Sequence, residues 1–260
     1  MRIAVFSDIH GNPYAAEAVL NAIQGDGPFD AVIAAGDHCL SGSDPARCVD
    51  LLRDASVLAL VGNTDEYIFA PHKTPSDEAH RVKWDEILRD VHWARERMTN
   101  EDIAWLAARP FSVRFSPTPN PADDLLVVHA HPKSLEGTIY PPVSLQTQHR
   151  GRVLQADDDP ELAWMLDGVT AKTIAFGHIH LTHLREWNDY RLVCVAPCSL
   201  PTIDFDHHAR FTVFEWLPGA TQWSFTRNLV DYDFTQEVEA LRQKAHPSAQ
   251  TLTQYFLGNR

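Results

Sequence analysis

The sequence predicts an α/β fold in which two β-sheets pack face to face with helices on the outside. Three observations predict it. Short apolar runs alternate with helical patterns in the first half, the second half carries β-rich runs separated by turn signals, and the chain closes on helical periodicity. No repeat at a solenoid or propeller period interrupts this order, so residues 1–260 are expected to form one domain.

The elements follow in chain order. RIAVF at 2–6 is a buried strand, and Asn12 with Pro13 supplies the cap and first turn of a helix whose Ala16, Val19, Leu20 and Ile23 share one face. AVIAA at 31–35 is a second strand, Asp44–Pro45 opens a helix carrying Val49, Leu51 and Leu52, and VLALV at 57–61 is a third strand. Strands separated by helices imply right-handed βαβ units and parallel pairing. From Ser76 to Met98, Trp84, Ile87, Leu88, Val91 and Ala94 recur at helical spacing, and a short helix follows at 100–108. FSVRF at 111–115, the turn SPTPNPADD and LLVVHA at 125–130 read as a hairpin-like pair. TIAF at 173–176, HLREW at 183–187, YRLVCVA at 190–196, RFTVFEW at 210–216 and TQWSFTR at 221–227 are further strands, and helices at 235–246 and 249–257 close the chain.

Composition narrows the function. A chain that is 44% hydrophobic and 22% charged is an ordinary globular composition. The apolar runs are too short to span a bilayer. The first run ends at Asp8 without a signal-peptide pattern, so a cytoplasmic location is expected. Cys39, Cys48, Cys194 and Cys198 form no C-x-x-C pair and are expected as reduced, buried thiols. A formal charge of −13 argues against binding long nucleic acids, which needs a basic stripe.

What stands at the strand ends carries the chemistry. The first strand ends in Asp8 and His10, the second in Gly36–Asp37, the third in Gly62–Asn63, LLVVHA at His129, and TIAF at Gly177–His178–Ile179–His180. Five apolar runs stop at side chains able to bind a metal, and ligands gather at the carboxyl ends of strands in open α/β sheets. Residues two apart on an extended backbone point to one face, so Asp8 with His10, and His178 with His180, can each aim at one centre. Imidazole, carboxylate and one amide oxygen suit Mn²⁺, Fe or Zn²⁺ better than thiolate-seeking ions.

The ordered pieces DIH, GD, GN-x-D, H and GHIH resemble the calcineurin-like metallophosphoesterases. Further stretches, among them FSDIHGN, SGSDPARCVDLL and VVHAHP, look like the branch of small bacterial phosphodiesterases related to diadenosine-polyphosphate hydrolases. The resemblance implies a four-layer αββα sandwich of mixed sheets. It also implies two divalent metal ions, Mn²⁺ foremost with Fe or Zn²⁺ as alternatives. One is held by Asp8, His10 and His180, the other by Asn63, His129 and His178, with Asp37 bridging. Two such ions, about 3.5–4 Å apart, can share a water, lower its pKa and clamp both oxygens of an in-line displacement at phosphorus. The expected nucleophile is therefore a bridging hydroxide, with Asp37 and Asn63 in the catalytic centre. The ions outweigh the charge of Asp8 and Asp37, so an anionic small phosphoester is drawn in despite the acidic remainder.

The pattern departs from the family where it matters for the leaving group. The usual histidine after Gly–Asn is Thr64, which cannot supply a proton; His38 and His131 are the candidates to replace it, the alternative being that both only support or face solvent. Where the branch shows H-G-S-P and N-P-G-S, this chain has His129–Ala130–His131–Pro132 and Ala196–Pro197–Cys198–Ser199. Lys133, His149, Arg150 and Arg152 are placed in the following loop, within reach of substrate. Hydrolysis of small phosphodiesters, nucleotides among them, is the leading expectation. The alternatives are a phosphomonoesterase or nuclease of the same superfamily, or a catalytically silent scaffold, which would need no full ligand set.

Overall fold

The computed structural model describes residues 1–70, 78–200 and 206–258. In chain order the elements are β1 (Arg2–Phe6), α1 (Pro13–Asp26), β2 (Ala31–Ala34), α2 (Pro45–Asp54), β3 (Leu58–Ala59), α3 (Asn63–Phe69), α4 (Glu78–Arg95) and α5 (Asn100–Ala107). Then come β4 (Ser112–Phe115), a 3-10 turn at Pro121–Asp123, β5 (Leu125–Val128), α6 (Val143–Arg150), α7 (Pro160–Leu166), β6 (Thr173–Phe176), β7 (His183–Trp187) and β8 (Tyr190–Cys194). β9 (Ala209–Glu215), β10 (Ser224–Val230), α8 (Phe234–Gln243) and α9 (Ala249–Phe256) complete the chain.

Two mixed five-stranded sheets result, ordered β10-β9-β1-β2-β3 and β4-β5-β6-β8-β7. The pairs β1–β2, β2–β3, β5–β6 and β6–β8 are parallel, and the edges β9–β10, β4 and β7 pair antiparallel. β4 and β5 do form the expected antiparallel pair.

Strand alternation builds the layers. In β1, Ile3 and Val5 face the second sheet together with Leu125, Val127, Ala175 and Val193, while Ala4 and Phe6 face Val19, Ile23 and Leu52 of α1 and α2. In β5 and β6, Leu126, Val128, Ile174 and Phe176 turn outward onto Leu162, Met165 and Leu166 of α7. Both faces of each central strand are thus apolar, which gives the continuous hydrophobic runs of the sequence. The order helix, sheet, sheet, helix follows. Caps open the helices as expected, Asn12 accepting from Ala15 N at 3.1 Å and Asp44 from Arg47 N at 3.1 Å.

Some elements differ from expectation. Helices α3, α6 and α7 are not expected from the sequence; NTDEYIF of α3 and VSLQTQHR of α6 hold too few apolar residues for a helical spacing to show, whereas in α7 Leu162, Met165 and Leu166 do carry it. Asp159–Pro160 was nonetheless the same start signal as Asp44–Pro45. β3 is two residues rather than five, because Val61 N–H leaves the sheet to donate to Pro110 O at 3.0 Å. β10 begins at Ser224 rather than 221, its pairing with β9 starting at Ser224 opposite Glu215. The expected helix start at Ser76 lies outside the described residues. All four cysteines are buried and unpaired. Among the described residues no helix is long and apolar enough to cross a membrane.

Candidate metal centre

The carboxyl ends of β1, β2, β5 and β6 lie side by side, and the loops leaving them are stitched together by backbone hydrogen bonds. Asp8 N donates to Gly36 O, His10 N to Asp37 O, and Gly177 N to His129 O, at 3.1, 2.9 and 2.7 Å. Asp8, His10, Asp37, His178 and His180 all have positive φ, between 50 and 68°. Such backbone is unusual for residues other than glycine, costs of order 1–3 kcal/mol each, and gathers where the surrounding structure forces it for function. Two glycines are required by close approach. A Cβ on Gly62 would sit 2.2 Å from Asp37 Oδ1, and one on Gly177 would sit 2.4 Å from Asp8 Oδ2.

Two donor groups result: Asp8 with His10 and His180, and Asp37 with His129 and His178, each with ligand atoms within 4.8 Å of one another. In the first, His180 Nε2 lies 3.1 Å from Asp8 Oδ1 and 2.8 Å from His10 Nε2. In the second, Asn63 Oδ1 lies 2.9 Å from His129 Nε2 and 3.1 Å from His178 Nδ1. Asp37 stands between them, its Oδ1 3.3 Å from His129 Nε2 and its Oδ2 3.6 Å from His10 Nε2. The structure thus brings together all seven side chains singled out as metal ligands.

Backbone carbonyls decide which ring nitrogen points inward. His10 Nδ1 faces Leu40 O at 3.0 Å, His129 Nδ1 faces Ala35 O at 2.9 Å, and His180 Nδ1 faces Leu200 O at 2.8 Å. A carbonyl only accepts, so each Nδ1 carries a proton, and it is Nε2 that faces the centre, with a free lone pair whenever the ring is neutral. His178 presents Nδ1 instead. Lone pairs and carboxylate oxygens converging this closely repel one another unless a cation or protons lie among them. The donor set therefore fits a pair of divalent ions, with orienting carbonyls of the kind metal-bound histidines use.

Electrostatics follow from the same geometry. Burial is the largest single influence and would raise Asp8 and Asp37, but the surrounding imidazoles together outweigh it, His180, His129 and His10 around Asp8 and His129, His10 and His178 around Asp37, and hold both carboxyls below their ordinary range. For His129 and His180 burial is the largest single influence, but Asp8 and Asp37 together with the carbonyls of Ala35 and Leu200 outweigh it, and both rings are raised. His10 is lowered by burial and by His180, and His178 falls to about 4 through burial and His129. Both carboxylates are thus available to a cation at neutral pH.

The two candidate proton donors are not brought to the centre. His38 is fully buried, with Nε2 2.7 Å from Leu60 O, and packs against Trp105. His131 is buried beneath its own loop, beside Trp164, with Nδ1 accepting from Lys133 N at 3.3 Å. Thr64 does flank the centre: its N–H donates to Asp37 Oδ1 at 2.9 Å, and its buried hydroxyl has no hydrogen-bond partner among the described residues. Lys133 leans over Trp164 toward Asp167, and His149 and Arg150 belong to the last turn of α6 rather than to a loop. Arg152 is exposed just beyond that helix.

Sequence reading missed Asp65 as a functional residue although it belongs to the GN-x-D motif. Its buried carboxylate accepts from Asp37 N, His38 N and Gly62 N at 2.9, 2.8 and 3.0 Å, tying the β2 and β3 ends together. The Gly62 bond is the reciprocal half of a capping box, the signal being an acid at the third position of α3. Burial raises Asp65 despite these donors.

Two packed mixed sheets with buried histidine–carboxylate groups at their strand ends define an α/β sandwich with a candidate dinuclear metal centre. The family model for the calcineurin-like phosphoesterases matches residues 1–206. The chain belongs to this family. An uncharacterized protein of Methanocaldococcus jannaschii is 32% identical over 134 residues, 52% of this chain and 51% of that protein. The match thus spans about half the length of that curated relative. A metallophosphoesterase from Sphaerobacter thermophilus superposes with a TM-score of 0.71 at 19% identity, covering 99% of both chains. A hypothetical protein from Pyrococcus horikoshii superposes with a TM-score of 0.74 at 15% identity, covering 98% of this chain and 97% of that one. Both structures share the fold.

Proposed function

We propose that this chain hydrolyses small phosphodiesters, nucleotides among them, at a centre of two divalent cations. The observation that supports this reading most is Asp37, whose two carboxylate oxygens face different donor groups, Oδ1 toward His129 and Oδ2 toward His10. Asp8, His10 and His180 would hold one ion and Asn63, His129 and His178 the other, with Asp37 shared; Mn²⁺ is the leading candidate and Fe or Zn²⁺ suit the same donors. When bound, such ions acidify a water to near-neutral pKa and neutralise charge on phosphoryl oxygens.

The chain's own residues supply the rest. Asp8 and Asp37 enter the centre already ionised, so they bring negative charge at neutral pH without first losing a proton. The Nδ1–H bonds from His10, His129 and His180 to carbonyls keep those rings from rotating. Thr64 in place of an imidazole leaves the leaving group without an adjacent proton donor, and neither His38 nor His131 faces the centre. General-acid help is worth about 10²–10⁴ in rate, and an aryl leaving group departs without it. A diester also carries less charge to neutralise than a monoester. Preference for diesters follows.

The test is metal analysis of the purified protein beside turnover of bis-(p-nitrophenyl) phosphate and p-nitrophenyl phosphate at saturating Mn²⁺. Two ions per chain, activity lost on chelation and restored by Mn²⁺, and faster diester than monoester turnover are expected. Full activity in metal-free protein would end the dinuclear reading, and a strong monoester preference would end the diester reading.

A further inference from the structure

Asn63 differs from every other donor at the centre. A carboxylate offers oxygen at either end, and three of the four rings are fixed by backbone carbonyls, but an amide flipped end for end would present NH₂, which cannot bind a cation. Something must decide which end faces inward.

Tyr67 lies four residues after Asn63 on α3, one turn along the same face. Asn63 Nδ2 lies 3.2 Å from the Tyr67 hydroxyl, and that hydroxyl donates to Glu136 Oε1 at 2.7 Å. The direction of each bond is forced by the next. Tyr67 gives its single proton outward to Glu136, so its oxygen can only accept from Asn63. Only the NH₂ end satisfies it, which leaves Oδ1 toward His129 and His178. The parts are braced: the Tyr67 ring packs edge-on against Trp84 with centroids 5.0 Å apart, and Glu136 N donates to Ser134 Oγ at 3.0 Å. The chain of bonds also joins α3, which carries Asn63, to the loop that follows His129.

We infer that Tyr67 and Glu136 are positioning residues that set the amide orientation of Asn63 by hydrogen-bond polarity, and thereby make the Asp37, Asn63, His129 and His178 group competent to hold a cation. The inference rests on the reading of Asn63 as a cation ligand. Neither residue needs to touch substrate. Their contribution belongs in metal affinity at one of two positions.

Mn²⁺ titration of the metal-stripped protein by calorimetry tests this in the parent and in Tyr67→Phe, which keeps the ring against Trp84. Tyr67→Phe is expected to weaken one of the two Mn²⁺ binding events by about 10–100-fold, the range typical of groups that orient metal ligands, and to leave the other unchanged. Glu136→Gln separates polarity from mere contact. A glutamine amide can either accept from or donate to the Tyr67 oxygen, so the phenol is no longer forced to accept from Asn63, and the same event should weaken, by less than in Tyr67→Phe, although shape is preserved; a Glu136→Gln variant weakened more than Tyr67→Phe would count against the relay. Asn63→Asp makes orientation irrelevant, because either end is an oxygen; in that background Tyr67→Phe should cost nothing further, a non-additivity that a purely structural role would not produce. Unaltered Mn²⁺ binding in Tyr67→Phe, equal weakening of both events, or the same loss with Asp at position 63 would overturn the relay. If the parent itself fails to bind two Mn²⁺ ions, it is the ligand assignment that falls.

Discussion

The two donor groups grow from neighbouring strand ends, yet they are held in different ways. In the Asp8, His10 and His180 group both rings are fixed by main-chain carbonyls, Leu40 O and Leu200 O, and Asp8 accepts from the His178 amide at 3.1 Å. In the other, one ring is fixed by Ala35 O, His178 presents its Nδ1 without such a clamp, and Asn63 is oriented through side chains alone. Main-chain clamps are part of the fold and lose little freedom on binding. Side-chain clamps can be altered one residue at a time. One group is therefore held by the main chain and the other can be adjusted through side chains, with Asp37 standing between them and proposed to be shared.

The largest effect should come from removing that shared carboxylate. Asp37→Asn is expected to lower occupancy at both positions and to reduce aryl diester turnover by more than about 10²-fold, beyond the loss typical of outer-shell partners. Metal content equal to the parent would contradict the shared role. Single-group variants sharpen the contrast. His180→Ala should empty chiefly the fixed position and His178→Ala chiefly the adjustable one, and in the parent a graded chelator should withdraw the His178-side ion first. Elemental analysis along the chelator series, with the two variants as markers, reads this directly; simultaneous loss would show the groups are equally held.

A gain of function is expected at Thr64, which flanks the adjustable group. Thr64→His should raise p-nitrophenyl phosphate turnover relative to the diester by up to about 10²-fold, the lower end of general-acid help. Steady-state rates on both substrates settle it, and an unchanged ratio would mean the imidazole cannot reach the leaving oxygen.

The smallest effect concerns the loop that clamps His10. Residues around Leu40 are held from α8 by Glu237, whose buried carboxylate accepts from Ser43 N and Ser43 Oγ, both at 2.7 Å. Burial raises Glu237 from 4.5 to about 7. A carboxyl raised in the folded state contributes stability below its unfolded value, and that contribution is lost as pH rises through about 7. Glu237→Gln keeps both contacts and removes the titration. Its stability relative to the parent should therefore rise by on the order of 3 kcal/mol between about pH 4 and pH 8, as followed by urea unfolding of the metal-free proteins. Parallel pH curves would show that Glu237 titrates normally.

Much of the fold was legible because the signals are local. Apolar runs such as Arg2–Phe6 and Leu125–Val128 are buried on both faces, and Asn12–Pro13 and Asp44–Pro45 announce helix starts. Helices α3 and α6 escaped because their few apolar residues establish no helical spacing. The seven donors were legible from their place after strands and beside glycines. The roles offered to His38 and His131 were not, because nearness in sequence to Asp37 or His129 says nothing of direction past a strand end: His38 follows Asp37 directly and bonds Leu60 O, and His131 lies in a turn closed against Ser134, so both rings turn into the protein.

By itself, then, the sequence determined the alternation of strands and helices, the family, and the residue types able to hold metal, since these depend on neighbours a few positions apart. Only the tertiary structure decided how those residues are presented. His129 takes its tautomer from Ala35 O, 94 positions away, and the Asn63 amide takes its orientation from a phenol whose proton is claimed by Glu136, 69 positions beyond Tyr67. Hydrogen-bond direction is a property of pairs in space, so no local pattern in the chain encodes it.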